Sequence, residues 1–179
     1  QLAWINKHYQ DKDWNIKAVM HLGDMTDTND PSAWKMNDSA YAKYIDPLDL
    51  AYLPGTGNHD YFMCESNSSS VSTCNYSRGG TRVSSSGKFN NDRLKNRNWS
   101  YASFGTFKYT GNAYLTMTVS GIKFLLISLE FAPRKDTICW AEDIIDKHPD
   151  HKVIITTHAY LNSYADTEER TSSNKYTSG

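Results

Sequence analysis

Leu53-Pro54-Gly55-Thr56-Gly57-Asn58-His59-Asp60-Tyr61 is the stretch on which the reading of this chain turns. An apolar lead-in stops at two glycines, and three side chains able to hold a metal or move a proton follow at once. A site loop has this form when a buried strand delivers it to the rim of a sheet. Gly55 and Gly57 permit backbone angles closed to other residues, so the loop can turn Asn58 and His59 towards one point.

Working outward, residues 2–12 place Leu2, Ile5 and Tyr9 at helical spacing, which predicts an amphipathic helix. Ile16 to Leu22 is an apolar run that predicts a largely buried strand, stopped by Gly23 and followed by Asp24, Met25, Thr26 and Asp27. A helix is expected over Ala33 to Ile45, opened by Pro31 and closed by Pro47, and a short strand over Ala51 to Leu53. Helix, strand, helix, strand in that order predicts a parallel sheet with covering helices. Further on, Tyr114–Val119 and Ile122–Glu130 flank Ser120 and Gly121, a hairpin signal. Beyond Pro133, the residues Ile138, Ala141, Ile144 and Ile145 recur at helical spacing up to His148. Val153 to Thr157 is β-branched, predicts a buried strand, and delivers His158 at its end.

Between the two halves the composition changes. Residues 62–98 are expected to form a polar surface insertion: from Ser66 to Asn98 the only aliphatic residues are Val71, Val83 and Leu94, too few for a core. From Ser66 to Asn98 six basic residues (Arg78, Arg82, Lys88, Arg93, Lys95, Arg97) stand against one acid, Asp92. That is either a solvated loop or a cationic rim that attracts phosphate-bearing substrates. The polar tail 162–179 has no clear periodicity.

Composition narrows the function classes. The chain has 179 residues, enough for one domain, and a net charge of -1, so overall basicity does not argue for nucleic acid. No apolar run reaches the roughly 18 residues a membrane helix needs. Cys64 and Cys74 bracket a polar loop and could pair; Cys139 sits in an apolar helical pattern and is expected in the core. Sequons at Asn37, Asn67, Asn75 and Asn98 lean towards a secreted glycoprotein. Gln1-Leu2-Ala3-Trp4-Ile5 reads like the middle of a helix, which suggests a segment of something longer. A Gly-x-Ser-x-Gly elbow, a Walker A loop and paired Cys-x-x-Cys motifs are all absent.

Three strand ends therefore carry potential ligands: Asp24, then Asn58 with His59, then His158. A carboxylate, an amide oxygen and an imidazole form a mixed hard and borderline donor set that suits Mn, Fe or Zn. Singly, each has an ordinary explanation as a cap, a turn residue or a satisfied polar group. Three in this order, all at strand ends, do not.

The blocks Gly23-Asp24-Met25-Thr26-Asp27, Gly57-Asn58-His59-Asp60 and Thr157-His158 resemble the second, third and fourth signature blocks of the calcineurin-like metallophosphoesterases. The resemblance covers about residues 1–160 and is nearest the secreted bacterial-type branch. It implies an α/β fold, a four-layer α/β/β/α sandwich of the metallo-dependent phosphatase type, incomplete at both ends. It implies two divalent transition metal ions that activate a water and clamp the oxygens of a phosphoester substrate. By the same resemblance Asp24 would bridge the ions, Asn58 and His158 would complete part of one shell, and His59 would stabilise the phosphoryl charge and protonate the leaving oxygen. Asp60 would orient His59. Asp27 is a candidate supporting residue or a plain turn residue, and His8, His21, His148 and His151 match no ligand block and are read as structural. The family's first block (Asp-x-His or Asp-x-Gln) and last block (Gly-His-x-His) are missing, so the segment alone is not expected to assemble both metals. The competing reading is an extracellular structural or binding domain that keeps the fold without turnover, within a larger parent chain or assembly.

Overall fold

The computed structural model describes residues 1–27, 31–60, 94, 97, 99, 102–106, 112–131 and 133–158. The Cys64–Cys74 pairing, most of the basic insertion, the sequons at Asn67, Asn75 and Asn98 and the tail from 162 lie outside those residues. The described elements run α1 (Leu2–His8), β1 (Ala18–Met20), α2 (Pro31–Tyr44), β2 (Ala51–Leu53), a 3-10 turn (Asn58–Asp60), β3 (Ala102–Thr106), β4 (Ala113–Val119), β5 (Ile122–Ser128), α3 (Lys135–Asp146) and β6 (Lys152–Thr156). Among the described residues no helix is long and apolar enough to cross a membrane.

Two sheets form. β1 and β2 pair in parallel, with Val19 opposite Tyr52. The other sheet is mixed, in the order β3-β4-β5-β6: β3-β4 and β4-β5 are antiparallel, β5-β6 parallel. The hairpin β4-β5 turns on Ser120 and Gly121, both at positive φ (51° and 81°). A Cβ on Gly121 would meet nothing within 4 Å, so only backbone strain opposes a side chain there. Gly121→Ala is accordingly expected to cost about 1 kcal/mol, read as a lower urea midpoint at unchanged slope.

α2 begins on Pro31, whose fixed φ suits a first helical turn. It buries Trp34 and Tyr41, and the chain just after it buries Ile45, against Tyr52 and Leu53 of β2. These join Leu115 and Met117 of β4 and Leu126 of β5 in one cluster. A second cluster packs Leu125 and Ile127 of β5 against Ala141 and Ile144 of α3. Successive strand residues point to opposite faces, so β5 splits its apolar side chains between the clusters and is buried on both sides. Each large apolar side chain so buried contributes about 1.5–3 kcal/mol.

Several expectations shift. α1 ends at His8 rather than near residue 12, and β1 is only three residues long, with Leu22 left 61% exposed. β3, unforeseen, pairs Phe104 with Leu115. β6 is a strand as expected but not a buried one: Val153, Ile154 and Ile155 are exposed, because β6 stands at the end of the described sheet order with β5 on one side only. Cys139 is exposed on α3 rather than in the core. Arg97, counted in the cationic rim, is held at the body of the fold: its guanidinium lies 3.5 Å from Asp46 Oδ1 and donates to the Asp46 carbonyl at 2.6 Å. Asn37 uses its amide nitrogen to donate to the carbonyls of Met25 and Ala33 from within α2.

Candidate metal and phosphoester site

The parallel pair β1-β2 sends two loops to the same sheet edge, residues 21–27 and residues 54–60, where parallel sheets place their ligands. The loops touch backbone to backbone. A Cβ on Gly57 would fall 2.1 Å from Asp24 Oδ1 and 2.3 Å from Asp24 N; no side chain fits. Gly23 (φ 102°) and Asp24 (φ 51°) both take the left-handed conformation. For a non-glycine such as Asp24 this is strained by about 1–2 kcal/mol. The turn aims its carboxylate at the 3-10 turn, and Asp24 Oδ1 accepts the His59 N–H at 3.0 Å.

Asp60 fastens the two loops. It is fully buried, and its carboxylate accepts the N–H groups of Met25 (3.0 Å), Thr26 (2.8 Å) and Gly57 (2.8 Å) as well as the Thr26 hydroxyl (3.2 Å). Burial pushes its pKa above the ordinary carboxylate value, against the pull of those four donors. The expected hydrogen bond from Asp60 to the His59 ring is thus replaced by bonds to backbone. His59 Nδ1 donates instead to the Asp27 carbonyl at 2.5 Å and lies 3.5 Å from Asp27 Oδ1. That bond, helped by the carboxylates of Asp24, Asp27 and Asp60 and opposed by burial, holds the His59 pKa above its usual value. Among the described residues its Nε2 makes no hydrogen bond, and it can donate when the ring is charged.

His158 follows β6 and reaches the same edge. Its Nδ1 is 2.8 Å from the Leu22 carbonyl. A carbonyl can only accept, so Nδ1 carries the proton and Nε2 is the nitrogen left with a lone pair in the neutral ring. That Nε2 faces Asp24 Oδ2 at 3.3 Å. Two acceptors pointed at each other need a cation between or beside them, either a proton or a metal ion. This is the observation by which the donor chemistry fits a metal. Asn58 occupies the first position of the 3-10 turn, between Gly57 and His59. Among the described residues no three His, Cys, Asp or Glu side chains converge to hold an ion, so the described donors make a pair and not a closed shell.

His21, read from the sequence as structural, also belongs to this edge. Its Nδ1 accepts the Gly23 N–H at 3.1 Å, and burial holds its pKa below the usual value while the Asp60 and Asp24 carboxylates oppose that shift. A lone histidine inside a strand pattern carries no signal that would have marked it.

The family model for the calcineurin-like phosphoesterases matches residues 1–177, and the chain belongs to that family. The match brings with it the α/β metallo-dependent phosphatase fold; members of the family generally bind two divalent metal ions. A relative, Uncharacterized protein YvnB of Bacillus subtilis (strain 168), is 27% identical over 163 residues, which is 90% of this chain and 11% of that protein. The chain thus spans about a ninth of the length of this relative. No solved structure matches it.

Proposed function

We propose that the chain forms the central part of a metal-dependent phosphoesterase domain that hydrolyses a phosphate monoester or diester. The observation that carries this is Asp24 and His158 facing each other acceptor to acceptor at 3.3 Å, on an edge shared with His59. Asp24 and His158 would hold one divalent ion, with the Asn58 amide oxygen as its third donor, and Asp24 would be the link to a second. Metal ions of the Mn, Fe or Zn kind, when bound, supply an activated water and a clamp on the phosphoryl oxygens. Donors for the second ion beyond Asp24 would come from elsewhere in a longer polypeptide. The two packed sheets with helices outside suit a four-layer α/β/β/α sandwich.

His59 does the work the chain itself provides. Its Nδ1–H is committed to Asp27, and its raised pKa favours the charged ring, so Nε2–H is available to steady negative charge on phosphorus and then to protonate the leaving oxygen. Asp60 serves at one remove by locking the loop that carries His59 to the loop that carries Asp24.

In the full-length protein, His158→Ala is expected to weaken binding of Zn²⁺ or Mn²⁺ by about tenfold or more, measured by calorimetry with the metal alone. Unchanged affinity, with elemental analysis finding no transition metal in the unsubstituted protein, would sink the reading and favour a scaffold without turnover.

A further inference from the structure

Glu130 lies immediately beyond β5, is 1% exposed, and has no part in the chemistry described above. Its carboxylate is gripped by Arg134 through two parallel bonds, Nε to Oε1 at 2.9 Å and Nη2 to Oε2 at 2.6 Å. Oε1 also accepts the Thr137 hydroxyl at 2.9 Å and the Arg134 N–H at 3.3 Å. The N-cap of α3, Arg134, makes no side-chain capping bond, and Glu130 supplies from the strand end an acceptor for the start of the helix, adding its negative charge to that of Asp136 in the first turn. Its main chain is committed as well. The Glu130 N–H donates to the buried Asn112 Oδ1 at 2.8 Å, and its carbonyl accepts the Thr157 hydroxyl at 3.0 Å.

A buried ion pair is weak as a source of stability, because removing both charges from water offsets most of their attraction. An apolar side chain would fill the same space without that cost. What it could not do is tie the end of β5 to the start of α3 at fixed distances; the same residue's link to Thr157, beyond β6, runs through its main-chain carbonyl. Thr157 is the last residue before His158, and Phe131, next after Glu130, packs its ring edge-on to the His158 imidazole at 6.0 Å. Thr157, beside His158 in the chain, is thus bonded to Glu130, and Phe131, which packs on the His158 ring, follows Glu130 directly in sequence. The Leu22 carbonyl and Asp24, which His158 meets at 2.8 and 3.3 Å, belong to the other sheet's loop and contact the ring from the far side of its chain.

We propose that Glu130, clamped by Arg134 and Thr137, is a positioning residue for His158, fixing through Thr157 and Phe131 the ring that faces Asp24. The significance of that position for metal binding rests on the function proposed above; the position itself does not.

The experiment uses the full-length protein, free of metal, with imidazole ¹⁵N resonances reporting the His158 ring and calorimetry reporting Zn²⁺ alone. Glu130→Gln keeps the shape but turns an amide nitrogen towards the guanidinium. Thr157→Val removes only the hydroxyl link, so it decides the matter if Glu130→Gln does not fold. Each is expected to move the His158 Nδ1 resonance and weaken Zn²⁺ binding by about tenfold. Thr157→Ser is expected to restore both, and Glu142→Gln, an exposed carboxylate on the same helix, to change neither. His158 resonances unmoved in folded Glu130→Gln or Thr157→Val, or no rescue by serine, would overturn the proposal. If the resonances move in these variants but His158→Ala leaves Zn²⁺ affinity unchanged, Glu130 positions the ring and it is the metal assignment that fails.

Discussion

Asp60→Ala is expected to cost about 3–5 kcal/mol, enough to remove much of the stability of a domain that has roughly 5–15. The substitution deletes one acceptor group but orphans three backbone N–H donors, those of Met25, Thr26 and Gly57, around a residue with no exposed surface. Each buried donor left without a partner costs about 1–3 kcal/mol. Water can reclaim some of this by entering the gap, which keeps the total below the sum. The check is a lower urea midpoint with unchanged slope; a loss under 1 kcal/mol would show that the carboxylate does not hold the loops. Asp60→Asn should fall between, since one of its two oxygens becomes an NH₂ group facing N–H donors. The pH dependence has a definite sign. Because burial raises the Asp60 pKa, the folded chain keeps this proton when the unfolded chain has released it. Unfolding is thereby favoured as pH rises from the ordinary 3.8 through the raised folded value. The stability advantage over Asp60→Asn should therefore be largest below 3.8 and shrink across that window.

What the residue string disclosed and what it withheld divide along a physical line. Apolar spacing placed α2, β2, the β4-β5 hairpin and α3 to within a few residues, because each buries a face and burial is written in the side chains. The β-branched run before His158 marked a strand, but a run of that kind says nothing of how many neighbours the strand has, and β6 proved exposed. Ala102–Thr106 went unnoticed since serine, glycine and threonine dilute the pattern; β3 is defined by its backbone pairing with β4.

At the site the same division holds. Gly57 was legible as a turn residue, but its stronger reason, an Asp24 carboxylate 2.1 Å from where its Cβ would be, involves a partner 33 positions away. Asp60 beside His59 invited an adjacent-pair reading. The fold gave Asp60 to three N–H groups and His59 to the Asp27 carbonyl, and main-chain partners carry no sequence signature. Glu130 stood at the end of an apolar run where a single acid is unremarkable until the crossover helix returns Arg134 and Thr137 to it.

On the function proposed above, His59→Ala carries the largest expected effect on catalysis: kcat for phosphoester hydrolysis by the full-length protein falls by about 10²–10⁴-fold, with KM nearly unchanged. The fold should survive, for two reasons. The side chain is about one-third exposed, and the N–H that donates to Asp24 Oδ1 is main chain, which alanine keeps. What is lost is the proton at Nε2. The loss should depend on the leaving group. An alkoxide needs that proton to depart, whereas 4-nitrophenolate leaves well without it, so an alkyl phosphoester should show a larger defect than a 4-nitrophenyl one. Equal defects would mean that His59 stabilises charge without transferring a proton. Asp27→Ala retains the carbonyl that His59 Nδ1 uses, and its effect should stay within a few-fold; a loss as large as that of His59→Ala would shift the orienting role to the Asp27 carboxylate, which lies 3.5 Å away. Because the active form of an acid is the protonated one, rate should decline as pH rises through the raised His59 pKa, and that limb should flatten in His59→Ala. A profile that keeps the same limb in the variant would assign the titration to another group and leave His59 without its role as the acid.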